Sequence, residues 1–248
     1  MKKLFSILIC CFLLMDLLNA QLSDQSLTAL GNLDPNSPIF VMSSQGMKID
    51  GSQFKNDDWM NGRIRLKKIN AFSEVVDVLL DLENHEIYYR FKDDSENIGQ
   101  LRIDELDAVV MYPEMDTLMY EVHDLYKRAH EGPSGKKFYE ILYAGENTLL
   151  HLENKYLRKE EYVENLGMVR RPNVYKSRHA YYLIKGRRLY EMRRNVKSFE
   201  KVYPEYASMI KQRVKEEKIK LSQEEGMAQL MQLIEEEKVN WKRKRKKS

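Results

Sequence analysis

Between residues 73 and 192 apolar positions alternate with polar ones in short runs, the period of strands with one buried face. Val76, Val78, Leu80 and Leu82 fall on one side of an extended segment, and Asp77 and Asp81 share the other. After the turn-forming Glu83-Asn84-His85 the alternation resumes at Ile87, Tyr89 and Phe91, so residues 73–91 predict a β-hairpin. A second hairpin runs from Phe138-Tyr139-Glu140-Ile141-Leu142-Tyr143 through Ala144-Gly145-Glu146-Asn147 into Thr148-Leu149-Leu150-His151-Leu152. A third joins His179–Ile184 to Arg187–Met192 across Lys185-Gly186.

After Arg194 the period lengthens. Tyr206, Ile210 and Val214 recur every four residues behind Pro204, whose fixed φ suits the first turn of a helix. Ser222-Gln223-Glu224-Glu225 reads as a capping box, Ser222 accepting from the amide three residues on and Glu225 reaching back. Met227, Leu230, Met231 and Ile234 then form one apolar stripe. Gly226 lowers helix propensity by about 1 kcal/mol against alanine, so the stripe must pack on something, and the expected surface is the β part. The whole pattern predicts an α+β fold: a mainly antiparallel β scaffold followed by a C-terminal helical pair. Residues 38–192 form the β-rich domain, 193–241 the helical segment packing on it, and 242–248 a basic tail.

The amino terminus carries a different pattern. Lys2 and Lys3 precede an apolar run from Leu4 to Leu14, and Leu18-Asn19-Ala20-Gln21 ends the segment at a small residue. This predicts an export signal over residues 1–20, cut after Ala20, and a periplasmic or extracellular protein. Residues 21–37, with Gly31 and Pro35-Asn36-Ser37, read as a flexible leader. Both cysteines, Cys10 and Cys11, lie inside the signal. The processed chain would therefore have no thiol nucleophile, disulfide or thiolate metal site. Lipid attachment at Cys10 needs a small residue before it, and Leu8-Ile9 stand there. No later apolar run approaches the ~20 residues of a membrane helix, so an integral membrane protein is not expected.

The net charge of +3 conceals its distribution. Residues 242–247 read Lys-Arg-Lys-Arg-Lys-Lys, and without these six cations the chain is acidic. Residues 71–131 hold 16 acidic side chains against 5 basic, whereas 168–198 hold 10 basic against Glu191 alone. Such segregation either pairs two surfaces of one fold or presents a basic face to an anionic partner. Tyr175, Tyr181, Tyr182 and Tyr190 interleave with Arg170, Arg171, Lys176, Arg178, Lys185, Arg187 and Arg188, a mixture suited to stacking on an anionic polymer. The competing account has the tyrosines facing the core and the cations facing water.

Motifs with catalytic spacing are weak. Gly132-Pro133-Ser134-Gly135-Lys136 suggests a phosphate loop, but His130 stands where its first glycine belongs and Lys137 where its hydroxyl belongs. A turn before a strand is the better account, and Ser134 is not flanked as a nucleophile elbow requires. Asp93, Ser95, Asn97 and Asp104 match positions of a calcium loop, but Ile98 replaces the glycine of its sharp turn, leaving a solvated connection. His85, His123, His130, His151 and His179 show neither a helical i, i+4 pair nor a close strand pair. They read as surface or satisfied core residues. No metal, cofactor or catalytic residue is assigned.

The block Phe138-Tyr139-Glu140-Ile141-Leu142 with Leu149-Leu150, the later Ala180-Tyr181-Tyr182-Leu183-Ile184-Lys185-Gly186, and Asn195-Val196-Lys197-Ser198-Phe199 together resemble the uncharacterised exported proteins of Bacteroidota. The resemblance covers residues 45–240. It implies a signal peptide, a β-rich region and a short helical end whose last helix starts with acids, here Glu224-Glu225, and it implies no activity. The chain departs from that group where Asn240-Trp241 runs into the basic tail.

These observations predict a non-catalytic envelope or secreted binding module. Its expected partner is an envelope protein or an anionic envelope surface, with no nucleic acid. The anion-binding candidates are Lys242, Arg243, Lys244, Arg245, Lys246 and Lys247, whose mutual repulsion favours an unfolded tail, with Arg178, Arg187 and Arg188. One rival is a hydrolase using an Asp/Glu pair on the β face. Another makes the helical stripe an assembly element docking on a partner.

Overall fold

The fold is α+β, mostly antiparallel strands with most of its helical residues near the C-terminus. The computed structural model describes residues 49–69, 71–113, 116–129, 133–159 and 173–245, with side chains at all of these except 94, 95, 128, 129 and 240–245. The expected signal and leader, Arg170 and Arg171, His130 and Lys246-Lys247 lie outside the described residues. The strands are β1 (Ile49–Asp50), β2 (Met60–Leu66), β3 (Val76–Asp81), β4 (Glu86–Phe91), β5 (Asp94–Arg102), β6 (Leu106–Met111), β7 (Leu118–His123), β8 (Lys137–Ala144), β9 (Asn147–Arg158), β10 (Asn173–Lys185) and β11 (Arg188–Met192). A short helix α1 (Leu125–Ala129) follows β7. After β11 come α2 (Val196–Val202), a 3₁₀ turn (Pro204–Tyr206), α3 (Ala207–Glu216) and α4 (Glu224–Arg245). The expected helical pair is thus three helices, since Asn195 caps an additional one by accepting from the Ser198 amide. No helix among the described residues is long and apolar enough to cross a membrane.

The chain divides into two compact units, one of residues up to Met119 with Leu157–Tyr175, the other of Tyr120–Tyr156 with Lys176 onward. In the first, antiparallel strands lie in the order β6-β2-β3-β4-β5. The predicted hairpin β3–β4 forms with Asp81 opposite Glu86, and Val76, Val78, Leu80 and Ile87 enter the core. Only Ile103-Asp104-Glu105 join β5 to β6, which occupy opposite edges of this order. That link spans at most about 14 Å, less than the four strand spacings of about 4.8 Å across a flat sheet. The sheet therefore curls, bringing its edges together.

Asp81 departs from the simple alternation. It is fully buried, and it accepts from Gln53 Nε2 and from the amides of Glu83 and Asn84 at 2.8–2.9 Å. The strand's own end residue thereby ties the β3–β4 turn, where His85 adopts a left-handed φ of 56°. The solvated connection expected around Asp93–Asp104 is also corrected: residues 94–102 are strand β5, in which Leu101 is buried between Gln100 and Arg102 and the segment pairs with β4.

In the second unit β7, β8, β9 and β10 are successive neighbours, and β11 pairs with β10. Both remaining predicted hairpins form, with Glu140 opposite His151 and Lys185 opposite Arg188. Residues 149–152 of β9 and 181–184 of β10 are buried on both faces. Leu150, Leu152, Tyr182 and Ile184 point one way, packing with Leu125 of α1 and Tyr139. Leu149, Tyr181 and Leu183 point the other way, beneath Phe199, Ile210, Met227, Leu230, Met231 and Ile234 of the helices. The apolar stripe of α4 is thus satisfied within its own chain, as the β-capping expectation has it, and the assembly-element reading loses its free surface.

Candidate functional site

The predicted cations occupy separate places. Arg187 and Arg188 are exposed beside Gly186, whose φ of 61° makes the tight β10–β11 turn. Arg178 is exposed further back on β10 and lies 5.0 Å over the Tyr156 ring. The seven residues from Arg178 to Lys185 extend about 23 Å, so these three arginines do not form one cluster. Tyr181 and Tyr182 are buried, as the core-facing account of the tyrosines has it. Lys185 is engaged structurally, donating to the Val202 carbonyl at 2.9 Å and lying 4.3 Å over the Tyr203 ring.

The basic tail also differs from expectation. Helix α4 continues to Arg245, so Lys242, Arg243, Lys244 and Arg245 have helical backbone and do not form an unfolded segment. Extending a helix already held by Met227, Leu230, Met231 and Ile234 needs no new nucleus. Lysine and arginine have high helix propensity, and cations are favoured at a helix C-terminus.

The described polar side chains converge most closely elsewhere, on the helix-covered face of β9 and β10. Residue parity places His151 with Leu149 on β9, and His179 with Tyr181 and Leu183 on β10. His151 is 2% exposed. Its Nδ1 lies 3.1 Å from Glu140 Oε2 on β8 and 3.2 Å from Glu224 Oε1 at the start of α4. Its Nε2 lies 2.9 Å from Nδ1 of the exposed His179, and the two ring planes differ by 18°. On the other side the Tyr181 ring stacks on His151 at 4.8 Å, and its hydroxyl donates to Glu224 Oε1 at 2.9 Å. The buried Tyr120 hydroxyl is 3.4 Å from Glu140 Oε2.

The proton positions follow from these neighbours. Two carboxylate oxygens beside His151 Nδ1 require that nitrogen to carry a proton, and the pair at Nε2 and His179 Nδ1 then shares one proton between two nitrogens. Burial, followed by the charge of Glu140, holds the Tyr120 hydroxyl well above the usual tyrosine range. Burial and the hydrogen bond to Glu224 raise Tyr181 as well, against the opposing charge of Arg194. Both tyrosines therefore stay neutral donors to the carboxylates at ordinary pH. The array is a chain of donors and acceptors running from the interior to the exposed His179.

No local pattern in the sequence joins these residues. His151 and His179 are 28 positions apart, beyond any motif spacing, and Glu224 stands in the sequence only as part of an acidic helix start. One signal was present: His151 interrupts the otherwise apolar Leu149-Leu150-His151-Leu152, and a polar group buried in such a run needs partners. Two carboxylates do converge, Glu140 of β8 with Glu224 of α4, but both are directed at the same imidazole nitrogen, and Glu224 is not on the β face that the hydrolase reading requires. The chain matches no family model, no curated protein and no solved structure.

Proposed function

We propose that this chain is an exported, non-catalytic binding module that attaches to an anionic surface through the basic end of α4. The observation supporting this reading is the continuation of that helix. Lys238 pairs with Glu146 of the β8–β9 turn at 2.9 Å, and the helical backbone then runs seven residues further, through Lys242-Arg243-Lys244-Arg245. Seven helical residues rise about 10 Å, so the run of contiguous cations is spread along the end of the helix. Such an end suits a diffuse anionic surface better than a shaped pocket. At about 1 kcal/mol for each cation near an anionic membrane, six contribute about 6 kcal/mol, a dissociation constant in the tens of micromolar.

Co-sedimentation with phosphatidylglycerol vesicles tests the reading, with phosphatidylcholine vesicles as control. The intact protein is expected to bind the anionic vesicles at about 0.05 M salt and to be released near 0.5 M, where screening shortens the range of the attraction. A variant lacking residues 242–248 is expected to lose that binding. Equal binding by the truncated and intact proteins, or none by either, would overturn the proposal.

A further inference from the structure

We propose that His151, His179 and Glu224 form a binding site for a divalent transition-metal ion of the zinc class, with Glu140 as the positioning residue. The inference is independent of the anionic-surface reading, since it concerns the start of α4 and other residues. Each of the three residues offers one donor atom, and these atoms all lie within 4.8 Å of one another. Two imidazole nitrogens and a carboxylate oxygen are the donor set that suits zinc and its neighbours, whereas magnesium and calcium prefer all-oxygen shells.

Three features of the surroundings support the assignment. First, Glu140 Oε2 accepts from His151 Nδ1, the carboxylate–histidine arrangement that fixes a ligand tautomer and leaves the lone pair on Nε2, facing His179. Second, the ligands come from three elements, β9, β10 and α4, held by the buried packing of Leu149, Leu183, Met227 and Leu230, so most of the ordering cost is met by the fold itself. Third, two carboxylates flank one buried imidazole, and His179 is exposed, which together provide negative charge and a route from solvent.

The rearrangement needed is small. Metal–donor distances of about 2.0–2.1 Å set tetrahedral donor separations of about 3.3 Å. The two histidine nitrogens, now 2.9 Å apart, part by about 0.4 Å, and the proton between them is exchanged through solvent for one on the exposed His179 ring's Nε2, so that both ligands bind as neutral imidazoles. The Glu224 carboxylate, on a side chain 31% exposed and now 3.2 Å from His151 Nδ1, turns away from that nitrogen to join the pair at Nε2 and His179 Nδ1. Three protein donors leave a fourth position for water or an anion. Because Glu224 begins α4, the ion would clamp that helix to β9 and β10.

Calorimetric titration of the tag-free protein with Zn²⁺ is the test, with Mg²⁺ as control. One saturable equivalent of Zn²⁺ and no response to Mg²⁺ are expected. His179→Ala, at an exposed position, and Glu224→Gln should each weaken binding at least about tenfold, while His123→Ala, a histidine outside the cluster, leaves it unchanged. Co²⁺ should give a visible ligand-field band that His179→Ala abolishes. Zn²⁺ should raise the unfolding temperature of the intact protein and not that of His179→Ala, with circular dichroism confirming that each variant is folded. The proposal is overturned by the absence of saturable Zn²⁺ binding, or by binding that survives in folded His179→Ala and Glu224→Gln.

Discussion

Glu235 shows how one residue can hold a turn against a helix. Its carboxylate accepts from the Tyr143 hydroxyl at 3.1 Å, from the amides of Glu146 and Asn147 at 3.0 and 2.8 Å, and from Asn147 Nδ2 at 3.3 Å. Gly145 leaves room for it, because a Cβ there would displace the Glu235 carboxylate and approach Tyr143 Cε1 to 2.8 Å. Glu235→Ala leaves these donors without their charged acceptor and is expected to cost about 2 kcal/mol, read as a lower urea midpoint at unchanged slope. Burial, then the hydrogen bond to Glu235, pushes the Tyr143 hydroxyl up to about 12. Because the folded value exceeds the ordinary 10, the associated stabilisation is complete below about pH 10 and is lost as the pH rises through about 12. A stability profile of Tyr143→Phe should therefore fall less steeply across that window than that of the unaltered chain. Equal slopes would refute this assignment.

At the level of elements, α4 depends on contacts that its own sequence only partly specifies. The expected box at Ser222 gives way to a helix starting at Glu224, with the Met227 amide donating to the Gln223 carbonyl. Gly226 looked unfavourable by helix propensity alone. In the fold it is buried, and a Cβ there would collide with the Lys220 carbonyl oxygen and lie 2.7 Å from the Lys220 carbonyl carbon. Gly226→Ala sets a propensity gain of about 1 kcal/mol against a collision with backbone, where overpacking costs about 1–3 kcal/mol and the neighbour is not a flexible side chain. The collision should win, lowering the melting temperature. Leu230 is fully buried in the same interface, so Leu230→Ala is expected to cost about 2–5 kcal/mol, depending on how far the cavity collapses. Chemical denaturation measures both, and a neutral Leu230→Ala would mean that α4 is not held by its stripe.

For the whole molecule, the charge layout and the packing are separable. Helix α4 is fixed by contacts between Met227 and Lys238, before the terminal cations begin. Removing residues 242–248 should therefore leave the melting temperature unchanged while turning the net charge from positive to negative. Differential scanning calorimetry checks this, and a large destabilisation would show that the basic end is part of the folded core. The two units also set how such data are treated, since one midpoint describes both only if their transitions coincide.

The three hairpins and the helical close were legible because their signals are local. Alternation chooses a strand face, Gly186 and Asn147 mark turns, and the stripe from Met227 to Ile234 has a helical period. Those patterns by themselves determined the α+β class and the apolar face of α4. Tertiary structure decided the functions of the polar residues, because their partners come from distant positions. Asp81 is buried because Gln53 and the following turn supply its donors, and Glu224, one of the two acids at the start of α4, turns to Tyr181 and His151. Only the pairing of β8 with β9 and the placing of β10 and α4 against them bring Glu140, His151, His179 and Glu224 together. Periodicity records which face a side chain takes, whereas a site depends on which other faces the folded chain brings opposite it.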